Sequence, residues 1–157
     1  MTDVYQRLAH HLDRLPAGYP ATEDGVELRI LQRLFSTEEA EIALGLTMMP
    51  ETAASIAERS GQDAARLAPI LEKMSRKGLI YRSSKSGQHH YMAAQFVIGI
   101  WEYHLNDLDE GLIRDVNEYL PRLMKENWTR QETKQLRVVP VAHSMSAEIR
   151  TMPYEVA

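Results

Sequence analysis

Residues 48–92 constrain this chain more than any other stretch, because their apolar pattern switches from helical spacing to strand alternation with no linker between. Two helical patterns, at 52–60 and 62–77, are separated by Gly61. Ala53, Ile56 and Ala57 mark the first, and Leu67, Ile70, Leu71 and Met74 mark the second at spacings of three and four. Gly78 stands where a left-handed cap would end the second helix. Leu79 and Tyr81 then alternate with Ile80 and Arg82 as on a strand, Ser86-Gly87 supplies a reversal, and residues 89–93 return.

Helix, turn, helix and hairpin in that order predict a winged helix. The fold class expected is mainly α with a small β-hairpin. A winged helix-turn-helix core at 36–93 is joined by an N-terminal helical extension at 1–35, C-terminal helices at 94–128 and an extended tail or linker at 129–157. In the extension, Val4, Leu8, His11, Leu12 and Leu15 form a helical stripe that stops at Pro16-Ala17-Gly18-Tyr19-Pro20. A second helix is expected to open near Thr22 or Asp24 and to carry Val26, Ile30, Leu31, Leu34 and Phe35 on one face. Ser36-Thr37-Glu38-Glu39 has the form of a cap with carboxylates in the first turn, starting a helix that runs to about Leu46.

Two prolines interrupt these patterns. Pro69 deletes a backbone hydrogen bond inside the second helix of the motif and disfavours helical geometry at Ala68, which predicts either a kink or a helix that begins near Pro69. After the hairpin, residues 95–104 and 108–128 read as helices, the latter broken or kinked at Pro121. Leu112, Ile113, Val116, Tyr119, Leu120, Leu123 and Met124 give that last helix a wide apolar stripe.

Charge is distributed unevenly. Residues 1–61 hold five basic side chains against ten acidic, 62–92 hold six against two, and 93–157 hold seven against ten, so the local balances are −5, +4 and −3. The basic segment coincides with the second helix and hairpin, where a winged helix that grips DNA places its positive charge. Arg66, Lys73, Arg76, Lys77, Arg82 and Lys85 are therefore the candidate contacts to DNA or to a partner. A solvated basic face is the competing reading of the same residues.

Other chemistry finds little support. The chain has no cysteine, which excludes a disulfide, a thiol nucleophile, a Cys-type zinc site and a Cys-ligated iron-sulfur cluster within these residues. His10-His11 and His89-His90 are adjacent pairs whose side chains diverge, unlike the i, i+4 clamp of a helical metal site. Phosphate loops, nucleophile elbows and His-Glu-x-x-His are missing, so no catalytic, cofactor-binding or metal-ligating residue is assigned. No apolar run reaches the roughly 18 residues of a membrane span, and Met1-Thr2-Asp3-Val4-Tyr5 has no secretory character, so a cytoplasmic location is expected.

Three segments resemble the N-terminal region of bacterial 4Fe-4S ferredoxin-type proteins. They are Gly25-Val26-Glu27-Leu28-Arg29-Ile30-Leu31-Gln32-Arg33-Leu34-Phe35, Met74-Ser75-Arg76-Lys77-Gly78-Leu79-Ile80 and Tyr91-Met92-Ala93-Ala94-Gln95-Phe96-Val97-Ile98-Gly99-Ile100-Trp101-Glu102-Tyr103. The run from Val139-Pro140-Val141 through Met152-Pro153-Tyr154-Glu155 is similar to the segment that precedes the cysteine motifs in that family. The resemblance implies a non-catalytic module that acts in docking or scaffolding within an electron-transfer protein. Its 4Fe-4S clusters would lie in a C-terminal region beyond these residues, and its partner would be another protein or its own cysteine-rich domain. None of the family's cluster ligands maps onto a position here. The residues themselves leave an alternative open: a winged-helix transcription regulator that forms a homodimer through the helices after Gln95 and meets nucleic acid with Arg76, Lys77, Arg82 and Lys85.

Overall fold

In the computed structural model, residues 3–129 are described. Helix α1 (Val4–Asp13) buries Val4, Leu8 and Leu12 of the expected stripe together with Ala9, while His11 and Leu15 are half-buried. Its polar edge is tied down as well. Tyr5 donates to the Phe35 carbonyl at 3.0 Å and Arg7 makes a bidentate pair with Glu41 at 2.9 Å.

Helix α2 (Val26–Leu34) opens later than the sequence suggests, after Gly25 in the left-handed region at φ 69°. Thr22 and Asp24 stand outside the helix as acceptors instead, their side-chain oxygens taking the Val26 N–H at 3.1 and 3.4 Å. Helix α3 (Thr37–Leu44) starts on the expected cap: Ser36 Oγ accepts from the Glu39 N–H at 3.3 Å, and the Glu39 carboxylate accepts from the Ser36 N–H at 2.9 Å.

Helix α4 (Ala53–Ser60) is capped by Thr52, and Gly61 at φ 67° turns the chain into α5 (Ala64–Arg76), capped by Asp63. The expectation that α5 would begin near Pro69 is corrected here, because the helix runs without a break from Ala64 through Pro69. An interior proline costs about 3 kcal/mol. Burial of Leu67, Leu71 and Met74, at roughly 1.5–3 kcal/mol each, outweighs that. Pro69 itself is exposed.

Gly78, at φ 79°, ends the helix and feeds β1 (Ile80–Lys85), which pairs antiparallel with β2 (Gln88–Ala93) from Ile80↔Ala93 to Lys85↔Gln88. Ser86 and Gly87 both have positive φ, 51° and 79°, the geometry of a primed two-residue turn. A short segment joins the other side of β2. Glu51 and Tyr91 exchange both backbone hydrogen bonds at 3.0 and 2.8 Å, and the Ala93 N–H reaches the Thr47 carbonyl at 2.7 Å.

Beyond the hairpin, the helix expected at 95–104 is mostly replaced by a wide turn. Ile100 N–H closes onto the Gln95 carbonyl at 2.9 Å, while Val97 and Ile98 are extended, with ψ of 125° and 123°. Only Trp101–Tyr103 (α6) is helical. The segment is drawn out by contacts that a regular helix could not make: the Glu102 carboxylate takes the Gly99 N–H at 2.6 Å, and a Cβ on Gly99 would come within 2.9 Å of the Tyr81 hydroxyl. Helix α7 (Glu110–Leu123) then continues through Pro121, and the regular helix gives way to a wider turn at Met124–Trp128 rather than breaking at the proline.

The centre of the core is aromatic. Tyr19 lies 5.0 Å from Phe96 and 4.9 Å from Tyr119 between ring centroids, with Phe96 and Tyr119 5.8 Å apart. Both phenols are satisfied, Tyr19 donating to the Glu27 carbonyl at 2.8 Å and Tyr119 to the Pro20 carbonyl at 3.1 Å. The molecule is mainly helical with a small two-stranded antiparallel sheet. No helix among the described residues is long and apolar enough to cross a membrane. Apart from Thr129, the tail expected at 129–157 lies outside the described residues, as does the part of the family resemblance carried by 139–155.

Candidate interaction surface around the hairpin

Helix α5, its C-cap and strand β1 carry the six predicted basic residues, Arg82 and Lys85 on opposite faces of the hairpin, and acidic side chains meet most of them. Glu72 is the focus. Its carboxylate accepts from Arg76 Nε at 2.9 Å, from Arg82 on β1 and from the Tyr91 hydroxyl at 3.2 Å, with His89 Nδ1 at 3.3 Å. The Arg82 hydrogen bond, followed by that of Arg76, holds the Glu72 carboxyl down at about 2. One side chain thus fastens α5 to both strands of the hairpin.

Lys77 is engaged more deeply. Its Nζ donates to both oxygens of Glu39 at 2.9 and 2.7 Å, and Glu39 is a buried side chain. Burial pushes the Glu39 carboxyl up, but the Lys77 ammonium and the Ser36 cap outweigh it and hold it below its ordinary value. Arg66 pairs with Glu38 at 2.7 Å on the open surface. Lys73 and Lys85 are exposed and form no ion pair among the described residues. Glu38 and Glu39 belong to the preceding acidic segment, so counting them with Asp63 and Glu72 against the six cations lowers the local balance from +4 to +2.

The sequence reading did not anticipate an apolar patch beside this surface. Tyr81 donates to the Ile98 carbonyl at 2.8 Å and meets Tyr103 edge-on at 5.8 Å, and Ile98, Tyr103 and Leu105 are 44%, 55% and 52% exposed. A regular helix at 95–104 would have placed Ile98 differently, so its exposure beside Tyr81 follows from the wide turn.

Two other constellations are accounted for by structure alone. Asp115, fully buried on α7, takes a hydrogen bond from Arg33 Nε at 2.8 Å and has Arg29 and Arg114 guanidinium nitrogens at 3.6 Å. Its burial raises the carboxyl pKa, yet the three guanidinium groups, Arg33 first, bring it below the ordinary value. Between α1 and α2 lies a cleft of about 380 Å³ lined by His10, Asp13, Tyr19, Glu23 and Glu27. Two of its three carboxylates are taken up by the loop itself, Asp13 accepting from the Tyr19 N–H at 2.9 Å and Glu27 from the Thr22 N–H at 3.1 Å and its hydroxyl, while Glu23 is exposed. Among the described residues no group of three His, Asp or Glu side chains is placed to hold a metal ion.

No protein-family model, curated protein or solved structure matches this chain.

Proposed function

We propose that residues 36–93 form a winged helix-turn-helix used for protein docking rather than for gripping DNA, as a non-catalytic part of a cytoplasmic 4Fe-4S ferredoxin-type electron-transfer protein. The helix pair, the hairpin and the third strand fragment at Thr47 and Glu51 support the winged-helix reading. The observation that carries the docking reading is the masking of the basic helix. Glu38, Glu39 and Glu72 engage Arg66, Arg76, Lys77 and Arg82, the side chains that would otherwise meet phosphates. Beside them, Ile98, Tyr103 and Leu105 offer the aromatic and aliphatic surface that protein interfaces favour at their centres. The iron-sulfur assignment rests on the resemblance of residues 25–35, 74–80 and 91–103 to that family, the partner being another protein or the chain's own cysteine-rich domain.

Two measurements test this. Fluorescence anisotropy with a mixed-sequence duplex should show no binding at low or physiological salt. Salt-dependent binding that disappears with Arg82→Glu plus Lys85→Glu would instead establish a DNA-binding regulator. Titration of a cysteine-rich two-cluster ferredoxin domain into isotope-labelled chain should shift the amide signals of Ile98, Tyr103 and Leu105. A spectrum that does not change would remove the iron-sulfur partner.

A further inference from the structure

The direction of the backbone groups along the hairpin defines a second surface, separate from the role proposed above. Tyr91 exchanges both its hydrogen bonds with Glu51 and Ala93 sends its N–H to Thr47, so on β2 these residues face away from β1. By alternation, Gln88, His90 and Met92 face β1, where their register partners are Lys85, Ser83 and Tyr81. Of the remaining residues of β1, Ile80 is buried, whereas the exposed Arg82 and Ser84 direct N–H and C=O outward from the open edge. Among the described residues nothing meets those four groups, and Ser83, Ser84 and Lys85 are all exposed. An unprotected edge of this kind is a template for another strand.

We propose that the β1 edge pairs with the β1 edge of a second copy of the chain, antiparallel about a two-fold axis at Ser83. The strand sequence is self-complementary in that register. Arg82 falls opposite Ser84 of the other copy on both sides of the axis, giving four backbone hydrogen bonds from the groups left free in the single chain. No like charges face each other, and Arg82 keeps its own Glu72. On the opposite face Tyr81 falls opposite Lys85 of the other copy. That lysine, without an ion pair among the described residues, can then lie over an aromatic ring already positioned by Tyr103 and the Ile98 carbonyl. Ser83 meets Ser83 across the axis as a close, non-hydrogen-bonded pair, where a small side chain fits. Shifting the register by two residues in one direction would set Arg82 against Arg82, and in the other would set Arg82 against Ser86, a turn residue at φ 51°, so charge and strand length together select this alignment.

The absence of cysteine from the chain makes the test direct. Ser83→Cys should oxidise to a disulfide-linked dimer about tenfold faster than Asn117→Cys, an exposed position on α7, because the close pair brings the two sulfurs within bonding reach. Sedimentation equilibrium of the unmodified chain over about 10–500 µM should show reversible dimerisation of the weak class expected for a small interface. Ser84→Pro removes one edge donor without touching the β1–β2 ladder and should abolish that association, while Ser84→Thr should retain it. A chain that stays monomeric throughout, equal oxidation rates at the two cysteine positions, or a dimer that survives Ser84→Pro would each overturn the proposal. If Ser84→Pro does not fold, the comparison of oxidation rates decides alone.

Discussion

Arg33 Nε donates to Asp115 Oδ2 at 2.8 Å, joining α2 to α7 across 82 residues of sequence. Asp115 is fully buried whereas Arg33 is about a third exposed, so the two partners are not equivalent. Arg33→Met should destabilise the chain by about 1–3 kcal/mol, because it leaves a buried carboxylate short of its hydrogen bond, with Arg29 and Arg114 too distant to replace it. Adding Asp115→Leu should recover most of that loss. Urea unfolding of the two single variants and the double variant checks the coupling.

Glu72 offers a second test. Its carboxyl titrates at about 2 in the folded chain against 4.5 ordinarily, so the unfolded state binds its proton first as pH falls. The contribution of Glu72 is therefore complete above the ordinary carboxylate range and lost between there and about pH 2. A carboxyl carbon titration by NMR should place the midpoint near the lower value. Glu72→Gln should flatten the acid limb of the stability curve and speed amide exchange in the hairpin.

His11 works in the opposite part of the pH scale. Burial lowers its pKa from 6.5, with Arg14 adding to the effect and the Leu46 carbonyl opposing it, and its Nε2 is buried without a hydrogen bond. The unfolded chain takes up this proton near 6.5 while the folded chain does not, so stability falls as pH drops through that value. The fall should stop below the folded pKa. His11→Leu should remove the corresponding part of the pH dependence below the ordinary imidazole value of 6.5, measured as the difference between the two stability profiles.

Two glycines separate backbone strain from crowding. Gly61 and Gly78 both sit in the left-handed region, at φ 67° and 79°. A Cβ on Gly61 would meet nothing within 4 Å, whereas one on Gly78 would come within 2.5 Å of Tyr103 Cβ. Gly61→Ala should therefore cost only about 1 kcal/mol. Gly78→Ala should cost about 2–4 kcal/mol, since neither backbone can move aside easily. Thermal or denaturant unfolding of both variants gives the comparison.

The local features of this fold are legible in its residues. Ser36 with Glu39 announces a capping box because both partners lie within one turn, and Ser86-Gly87 announces its turn because the backbone geometry depends on two adjacent residues. Pro69 misleads for a related reason: its cost is local and visible, while the burial of Leu67, Leu71 and Met74 that offsets it depends on distant partners. Residues 95–104 carry apolar spacing compatible with a helix, and nothing nearby signals that Tyr81 and Glu102 will hold Ile98 and Gly99 out of helical geometry. The six basic residues stand out in the sequence, but their acidic partners do not. A charge tally by segment records Glu38 and Glu39 in one region and Arg66 and Lys77 in another, and only the packing of α3 near α5 brings them together.

The aromatic centre has a consequence for how the chain reaches this structure. The contacts between α4, α5 and the hairpin join neighbours in sequence, and such contacts close quickly. Tyr19, Phe96 and Tyr119 must instead be gathered from separate regions. The hydrogen bonds around them span 78, 99 and 110 residues, from Ala17 to Gln95, Tyr119 to Pro20 and Asn127 to Ala17. Closing loops of that length carries an entropic cost that only a formed partner surface can offset. The helix pair and hairpin therefore assemble early, and the flanking helices lock around the tyrosines late, so substitutions at Tyr19 or Tyr119 should accelerate unfolding while leaving the folding rate nearly unchanged.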